Sequence, residues 1–134
     1  MGKCLLLLSG GIGSAVAGKL AMQNKQEVLA VHFSTKKITG SESIEKVKRL
    51  CKKLSIKKLF LVEVSDEFAQ ISKKADHRLY FVLMKRLMLK ISAQIAKQNG
   101  ISFLLTGENL GQVSSQTLPN LAVIDQAVPM PVIR

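Results

Sequence analysis

The chain is 134 residues long and 47% hydrophobic, enough for one domain with a real core and too short for two. Twenty Lys and Arg against nine Asp and Glu give a formal charge of +11, a balance that favours polyanionic partners such as RNA or phosphorylated substrates. The alternative is a lysine-rich solvated surface. With Cys4 and Cys51 as the two cysteines, no close pair and no ligand-like spacing, neither a disulfide scaffold nor a zinc site is suggested, which fits a reducing compartment. The start Met1 to Leu8 is too short for a signal peptide, and no apolar run approaches transmembrane length. Leu6 stands where a myristoylation signal needs Ser or Thr. The expectation is a cytoplasmic protein with no membrane contact.

Cys4 to Leu8 is a short apolar run that stops in Ser9-Gly10-Gly11-Ile12-Gly13-Ser14. An apolar run bounded by glycines and followed by a helix, about Ser14 to Asn24, reads as a buried parallel strand feeding a crossover. The turn would set backbone N–H groups beside a helix N-terminus, a cradle for phosphate. Two other phosphate motifs fit less well. Gly13 to Leu20 has Walker A spacing but ends in Leu20 instead of a hydroxyl residue, with Gly18 and Lys19 well inside the helix. Gly11-Ile12-Gly13 opens like a dinucleotide fingerprint, yet Val16 replaces a small residue and the next strand ends in Val31-His32-Phe33 without an acid. A plain tight turn remains the bland reading.

Glu27 to Phe33 is nearly continuous in apolar residues and reads as a second, central strand. Ser34 to Ser43 is a polar loop at the same edge as the phosphate turn, and Ser41 or Ser43 can cap the next helix. That helix sets Ile44, Val47, Leu50 and Leu54 on one face and Lys46, Arg49, Lys52 and Lys53 on the other. Lys58 to Val64 is a third strand, and 66–73 a short helix. A break at 74–77 precedes the longest helix, about Arg78 to Gln98, expected to turn Tyr80, Met84, Leu87, Ile91 and Ile95 to the core. Asn99-Gly100 stops it.

Ile101 to Thr106 is a fourth strand running into another Gly-bearing segment, Gly107 to Gln112. Val113 to Ala127 reads as a helix and Val128 to Arg134 as a final extended piece. The alternation gives an α/β domain over residues 1–134: three layers, α/β/α, around a five-stranded parallel sheet with right-handed crossovers. In such sheets ligands gather beyond the strand carboxyl ends, where strand order reverses. The first and fourth strands are natural neighbours there, which would bring Ser9 to Ser14 and Gly107 to Gln116 together. With no helix after the last strand, a homodimer contact through the C-terminal strand region, or another partner, is expected to cover it.

Ser9-Gly10-Gly11-Ile12-Gly13-Ser14 resembles the pyrophosphate loop, Ser-Gly-Gly-x-Asp-Ser, of the ATP pyrophosphatase (PP-loop) superfamily with its Rossmann-like adenine nucleotide α-hydrolase fold. Thr106 to Leu118, Asn120-Leu121 and Pro131-Val132-Ile133-Arg134 are similar to the core of the ThiI family, the tRNA 4-thiouridine synthetases also tied to thiamine thiazole formation. Ser43 to Val47 and Met84 to Met88 are similar as well, and the resemblance covers essentially the whole chain. It implies an enzyme that uses ATP and Mg²⁺ to adenylate a tRNA uridine, after which a persulfide sulfur displaces AMP. It implies that Leu7, Leu8, His32 and Phe33 border the adenosine, and that Lys85 contacts nucleotide phosphate. Gly10, Gly11, Gly13, Gly107 and Gln116 would line the same pocket, with Lys85, Ser9 and Ser14 as the catalytic set.

Two departures bear on activity. Gly13 stands in the place of the family's loop Asp, the carboxylate expected near the metal and the leaving pyrophosphate; Glu108 is the nearest candidate to compensate. The chain also stops at Arg134, before the segment in which the family keeps its catalytic cysteine, and it lacks the family's ferredoxin-like and THUMP RNA-binding domains. A sulfur-carrier or cysteine-bearing protein, and possible tRNA contact, are therefore the expected partners. The competing readings are a nucleotide- or partner-binding protein that no longer catalyses, and a basic RNA-binding module. One Tyr and five Phe are few for stacking on bases, which weighs against the last.

Overall fold

Why the first apolar run has no polar alternation is plain from its neighbours in space. In the computed structural model, which describes residues 2–8, 12–107 and 130–133 (backbone alone at 12–14), strand β1 (Lys3–Leu7) lies between β2 (Glu27–Ser34) and β4 (Phe103–Leu105). With β3 (Leu59–Glu63) and β5 (Val132–Ile133) the sheet order is β3-β2-β1-β4-β5, and every pairing is parallel. A strand at the middle of such a sheet is covered on both faces, so both of its side-chain rows must be apolar.

The helices divide between the two faces. Cys4, Leu6 and Leu8 of the β1 row, with Val28 and Ala30 of β2, pack with Ala17 and Ala21 of α1 (Ile12–Gln23) and Val47 and Cys51 of α3 (Glu42–Lys53). On the other face Leu5, Val31 and Leu104 pack with Val82, Leu89 and Ala96 of α5 (Tyr80–Gln98). The result is the expected three-layer α/β/α sandwich. Helix α4 (Ser65–Lys74) lies against α5, joined to it by a 3₁₀ turn (His77–Leu79) in which the Asp76 carboxylate accepts the Arg78 N–H at 2.9 Å.

Helix α1 sits unusually close to the sheet at Gly18, which is buried: a Cβ there would lie 2.8 Å from Leu6 Cδ2 and 3.7 Å from Leu54 Cδ1. Gly18 and Lys19 are inside the helix, and Lys19 points to solvent, so the Walker A spacing has no phosphate loop to serve. Gly100, at φ +67°, ends α5 as the Asn99-Gly100 pair implied.

Several expectations need correction. The polar segment 34–43 is not all loop, because Lys36–Thr39 forms a short helix, α2. Helix α1 begins at Ile12 instead of Ser14, so Gly13 is helical. Ser41 occupies the cap position of α3 without a side-chain cap bond, and Ser43 lies inside the helix with its hydroxyl turned to His32. On α5 the most buried apolar positions are Val82, Leu89, Ala93 and Ala96; of the expected set Ile95 packs against that core, while Tyr80, Met84, Leu87 and Ile91 lie on the opposite side and are only half-buried. The expected helix 113–127 lies outside the described residues.

Candidate functional site

The site begins from strand register. Leu6 pairs with Leu105, so one and two residues further on Leu7 is level with Thr106 and Leu8 with Gly107. Adjacent parallel strands are about 4.8 Å apart, and the chain therefore leaves β1 and β4 side by side at one edge. This is the edge where strand order reverses, with β2 and β3 to one side of β1 and β4 and β5 to the other. The segments that begin here, Ser9-Gly10-Gly11 and 108–129 with Glu108 and Gln116, lie outside the described residues. Gly13 and Ser14 are in the first turn of α1, whose opening N–H groups have no partner within the helix.

His32 fixes the β1 end. It is 6% exposed, on the α1/α3 side of the sheet, with Nδ1 2.9 Å from the Leu8 carbonyl oxygen and Nε2 3.3 Å from Ser43 Oγ. A carbonyl only accepts, so Nδ1 carries the proton, and in the neutral ring the Ser43 hydroxyl donates to Nε2. The Leu8 N–H donates to the Val31 carbonyl at 2.9 Å. Both backbone groups of Leu8 are thus spent on holding the strand end, and the imidazole ties β1, β2 and α3 into one unit. Leu7 and Phe33 fall on the α5 side and pack around that core.

Helix α5 carries two cations on its sheet-facing side. It returns the chain from the end of β3 to the start of β4, so it runs against the strands. Its 19 residues span roughly 28 Å, against about 17 Å for a five-residue strand. Its N-terminal turns therefore stand at the strand carboxyl ends. Lys85 and Arg86 lie between Val82 and Leu89, one turn from each, on the side that meets the sheet, and both are half-buried with partners of their own. Arg86 was not among the expected site residues. Its signal was only its spacing, i−3 from Leu89 and i+4 from Val82.

Two strands away, at the ends of β2 and β3, sits a polar group that sequence reading also missed. The buried Ser65 donates both its hydroxyl and its N–H (2.9 Å for the latter) to Glu63, and the Lys36 N–H donates to Ser34 Oγ at 3.2 Å. The Ser65 hydroxyl holds the Glu63 carboxyl below its ordinary range, against the opposing cost of burial, with help from the Ser65 N–H, Ser34 and Lys37. Lys37 pairs with Asp66 at 3.3 Å. Among the described residues no group of three His, Cys, Asp or Glu comes together to ligate a metal, and at this edge Glu63 is engaged by Ser65 and Asp66 by Lys37. The described residues therefore do not fit a protein-built Mg²⁺ site.

Neither cysteine offers a nucleophile. Cys4 is fully buried and burial pushes its thiol up to about 11; Cys51 is 6% exposed and raised for the same reason. A thiolate, the reactive form, is disfavoured at both.

The whole chain, residues 1–134, matches the family model described as thiamine biosynthesis protein (ThiI). A probable tRNA sulfurtransferase of Caldanaerobacter subterraneus is 44% identical over 137 aligned residues, covering 99% of this chain and 36% of the relative. One from Finegoldia magna is 36% identical with the same coverage of this chain. Among solved structures, a 4-thiouridine synthetase in complex with RNA and bound ATP superposes with a TM-score of 0.87 at 33% identity, covering 99% of this chain and 36% of that one. An NH3-dependent NAD synthetase from Campylobacter jejuni, at 21% identity and TM-score 0.66, shares the fold. The chain spans about a third of the length of the curated relatives it matches. With paired strand exits at the reversal point and a match along its full length, the chain belongs to the ThiI family.

Proposed function

We propose that residues 1–134 form the ATP-binding PP-loop domain of a tRNA sulfurtransferase system, activating a tRNA uridine by adenylation or serving thiamine thiazole sulfur transfer. The observation that carries this reading is the register that sets the exits of β1 and β4 side by side. The likeness to a synthetase whose structure holds ATP and RNA supports it. In the reaction the uridine C4 oxygen attacks the α-phosphorus, the bond from that phosphorus to the bridging oxygen breaks, and pyrophosphate leaves. Backbone N–H groups of the 9–14 segment, with Ser9 and Ser14, would hold the phosphates. Lys85 as a point charge and Arg86 as a planar fork would offset the charge that moves onto the leaving group. Leu7, Leu8, Phe33 and Gly107 would wall the adenosine, with Gln116 from the second segment, while His32 positions Leu8. Mg²⁺, when carried in with the triphosphate, would neutralise phosphate charge.

The burial of both cysteines supports a reading in which sulfur would arrive on another polypeptide segment or chain. A homodimer through the C-terminal strand is part of the same proposal; Ile133 of β5 is 48% exposed. A second reading, a nucleotide-binding protein without turnover, is favoured specifically by Gly13 in place of the loop acid.

Calorimetry with ATP, followed by pyrophosphate release with tRNA, tests both. The proposal expects ATP uptake, at least ten-fold weaker binding in Lys85→Ala, and more pyrophosphate from Gly13→Asp than from the natural chain. A natural chain that binds ATP but is silent while Gly13→Asp turns over selects the second reading. No uptake of ATP by the natural chain ends both.

A further inference from the structure

The stretch from Lys46 to Lys58 holds seven cations, Lys46, Lys48, Arg49, Lys52, Lys53, Lys57 and Lys58, and no Asp or Glu. All seven are exposed, and none takes part in the ion pairs found among the described residues, which are Lys3–Glu27, Lys37–Asp66 and Arg78–Asp76. Lys58 lies over the Phe60 ring, 5.2 Å from its centre, a contact that leaves its charge in place. The acids of α3, Glu42 and Glu45, are confined to its first turn. Lys52 and Lys53 answer the helix dipole at its C-terminus, but Lys46, Lys48 and Arg49 lie too far upstream to do so. The like-charged i, i+4 pairs Lys48/Lys52 and Arg49/Lys53 disfavour the helix. Glu42 and Glu45, four residues before Lys46 and Arg49, offset at most two of the seven charges and leave the face strongly basic.

We infer that the outward face of α3, continued by Lys57 and Lys58, is a docking surface for the phosphate backbone of an RNA duplex, apart from the pocket that takes the target uridine. The inference rests on the tRNA reading above. Three features select this occupant. The apolar residues of the stretch, Val47, Leu50, Cys51, Leu54 and Ile56, are buried or half-buried, which leaves nothing to insert into a bilayer. No aromatic residue lies between 46 and 58, so the surface cannot stack on splayed bases and reads only phosphates. The row is rigid, because Val47 and Cys51 anchor α3 in the core. Its position suits an RNA that reaches the strand edge, because the first turn of α3 touches the β2 end through Ser43 and His32. From there the 12-residue helix runs roughly 18 Å away from the strand carboxyl ends. An RNA presenting one base at that edge can lay a neighbouring helical segment along α3.

The test is fluorescence anisotropy of a labelled, unmodified tRNA transcript over a range of KCl, comparing the natural chain with a Lys46→Ala/Arg49→Ala/Lys53→Ala variant. Thermal melting checks that both are folded, and ATP calorimetry is run in parallel. The expected result is at least ten-fold weaker binding at low salt and a slope of log affinity against log salt shallower by about 2 to 3, with ATP uptake unchanged. Unchanged affinity and slope in the variant, or no tRNA binding by the natural chain, overturns the inference. So does a variant that keeps tRNA but loses binding to phosphatidylserine vesicles, which would assign the face to a membrane. The two readings fail separately: loss of ATP uptake in the natural chain strikes the proposed function, whereas the α3 inference is read from RNA alone.

Discussion

Cys4 and His32 show how a buried residue at the sheet centre is spent on architecture. The Cys4 thiol, at 0% exposure, is pushed from 9.0 up to about 11 because its charged form has no water to stabilise it. In the unfolded chain the same thiol ionises near its ordinary value, so between about pH 9 and 11 the native state holds the proton that the unfolded state has released. Stability therefore falls as pH rises through that window, by about 1.4 kcal/mol per unit from this group. Urea midpoints of the natural chain and Cys4→Ala, measured from pH 8 to 10.5, should converge as pH rises. Parallel lines would mean that Cys4 ionises freely in the fold. For His32 the resemblance implied a place beside the adenosine. The bonds to Leu8 and Ser43 show a structural tie, which only the folded proximity of β1, β2 and α3 could reveal.

At the scale of elements, the strands and most helices were readable because each carries its own signal. These are the unbroken apolar run of β1, the amphipathic face of α3 and the Asn99-Gly100 stop of α5. Helix α5 was readable as a helix but not in its orientation. It has two apolar stripes, and the larger residues Tyr80, Met84, Leu87, Ile91 and Ile95 drew the core assignment. The structure instead turns Val82, Leu89, Ala93 and Ala96 to the sheet, with Ser92 beside them, its hydroxyl spent on the Met88 carbonyl at 2.7 Å. Small residues let a long helix lie close to a sheet, a pairwise requirement that one element's sequence does not display. Leu89→Ala should thus cost about 2–4 kcal/mol and Leu87→Ala about 1 kcal/mol or less, read from urea unfolding. Equal costs would contradict this facing. The same rotation sets Lys85 and Arg86 on the side of α5 that meets the sheet, so the misread stripe also hid where Arg86 lies.

For the whole molecule, a charge of +11 with three exposed ion pairs among the described residues makes self-repulsion a standing cost. Salt shortens the range of that repulsion, with a Debye length of about 10 Å at 0.1 M. Raising NaCl from about 20 to about 300 mM should therefore lift the melting temperature by a few degrees, followed by circular dichroism. A fall would mean that exposed pairs contribute more than repulsion costs. The fold class was legible at this scale, since alternating strands and helices with a glycine-rich first turn admit few topologies. The candidate site was legible only as the meeting of two strand ends; Ser9 to Gly11 and Gln116 lie outside the described residues.

Gly18 carries a consequence for that pocket. Because no side chain intervenes between α1 and Leu6, the helix axis rides low, and its first turn at Ile12 to Ser14 is set at a corresponding depth. On the proposed reading, a residue remote from the nucleotide would thereby set how deep the anion sits: a side chain at position 18 meets Leu6 Cδ2, and whatever part of that clash the helix absorbs would lift the floor beneath the phosphates.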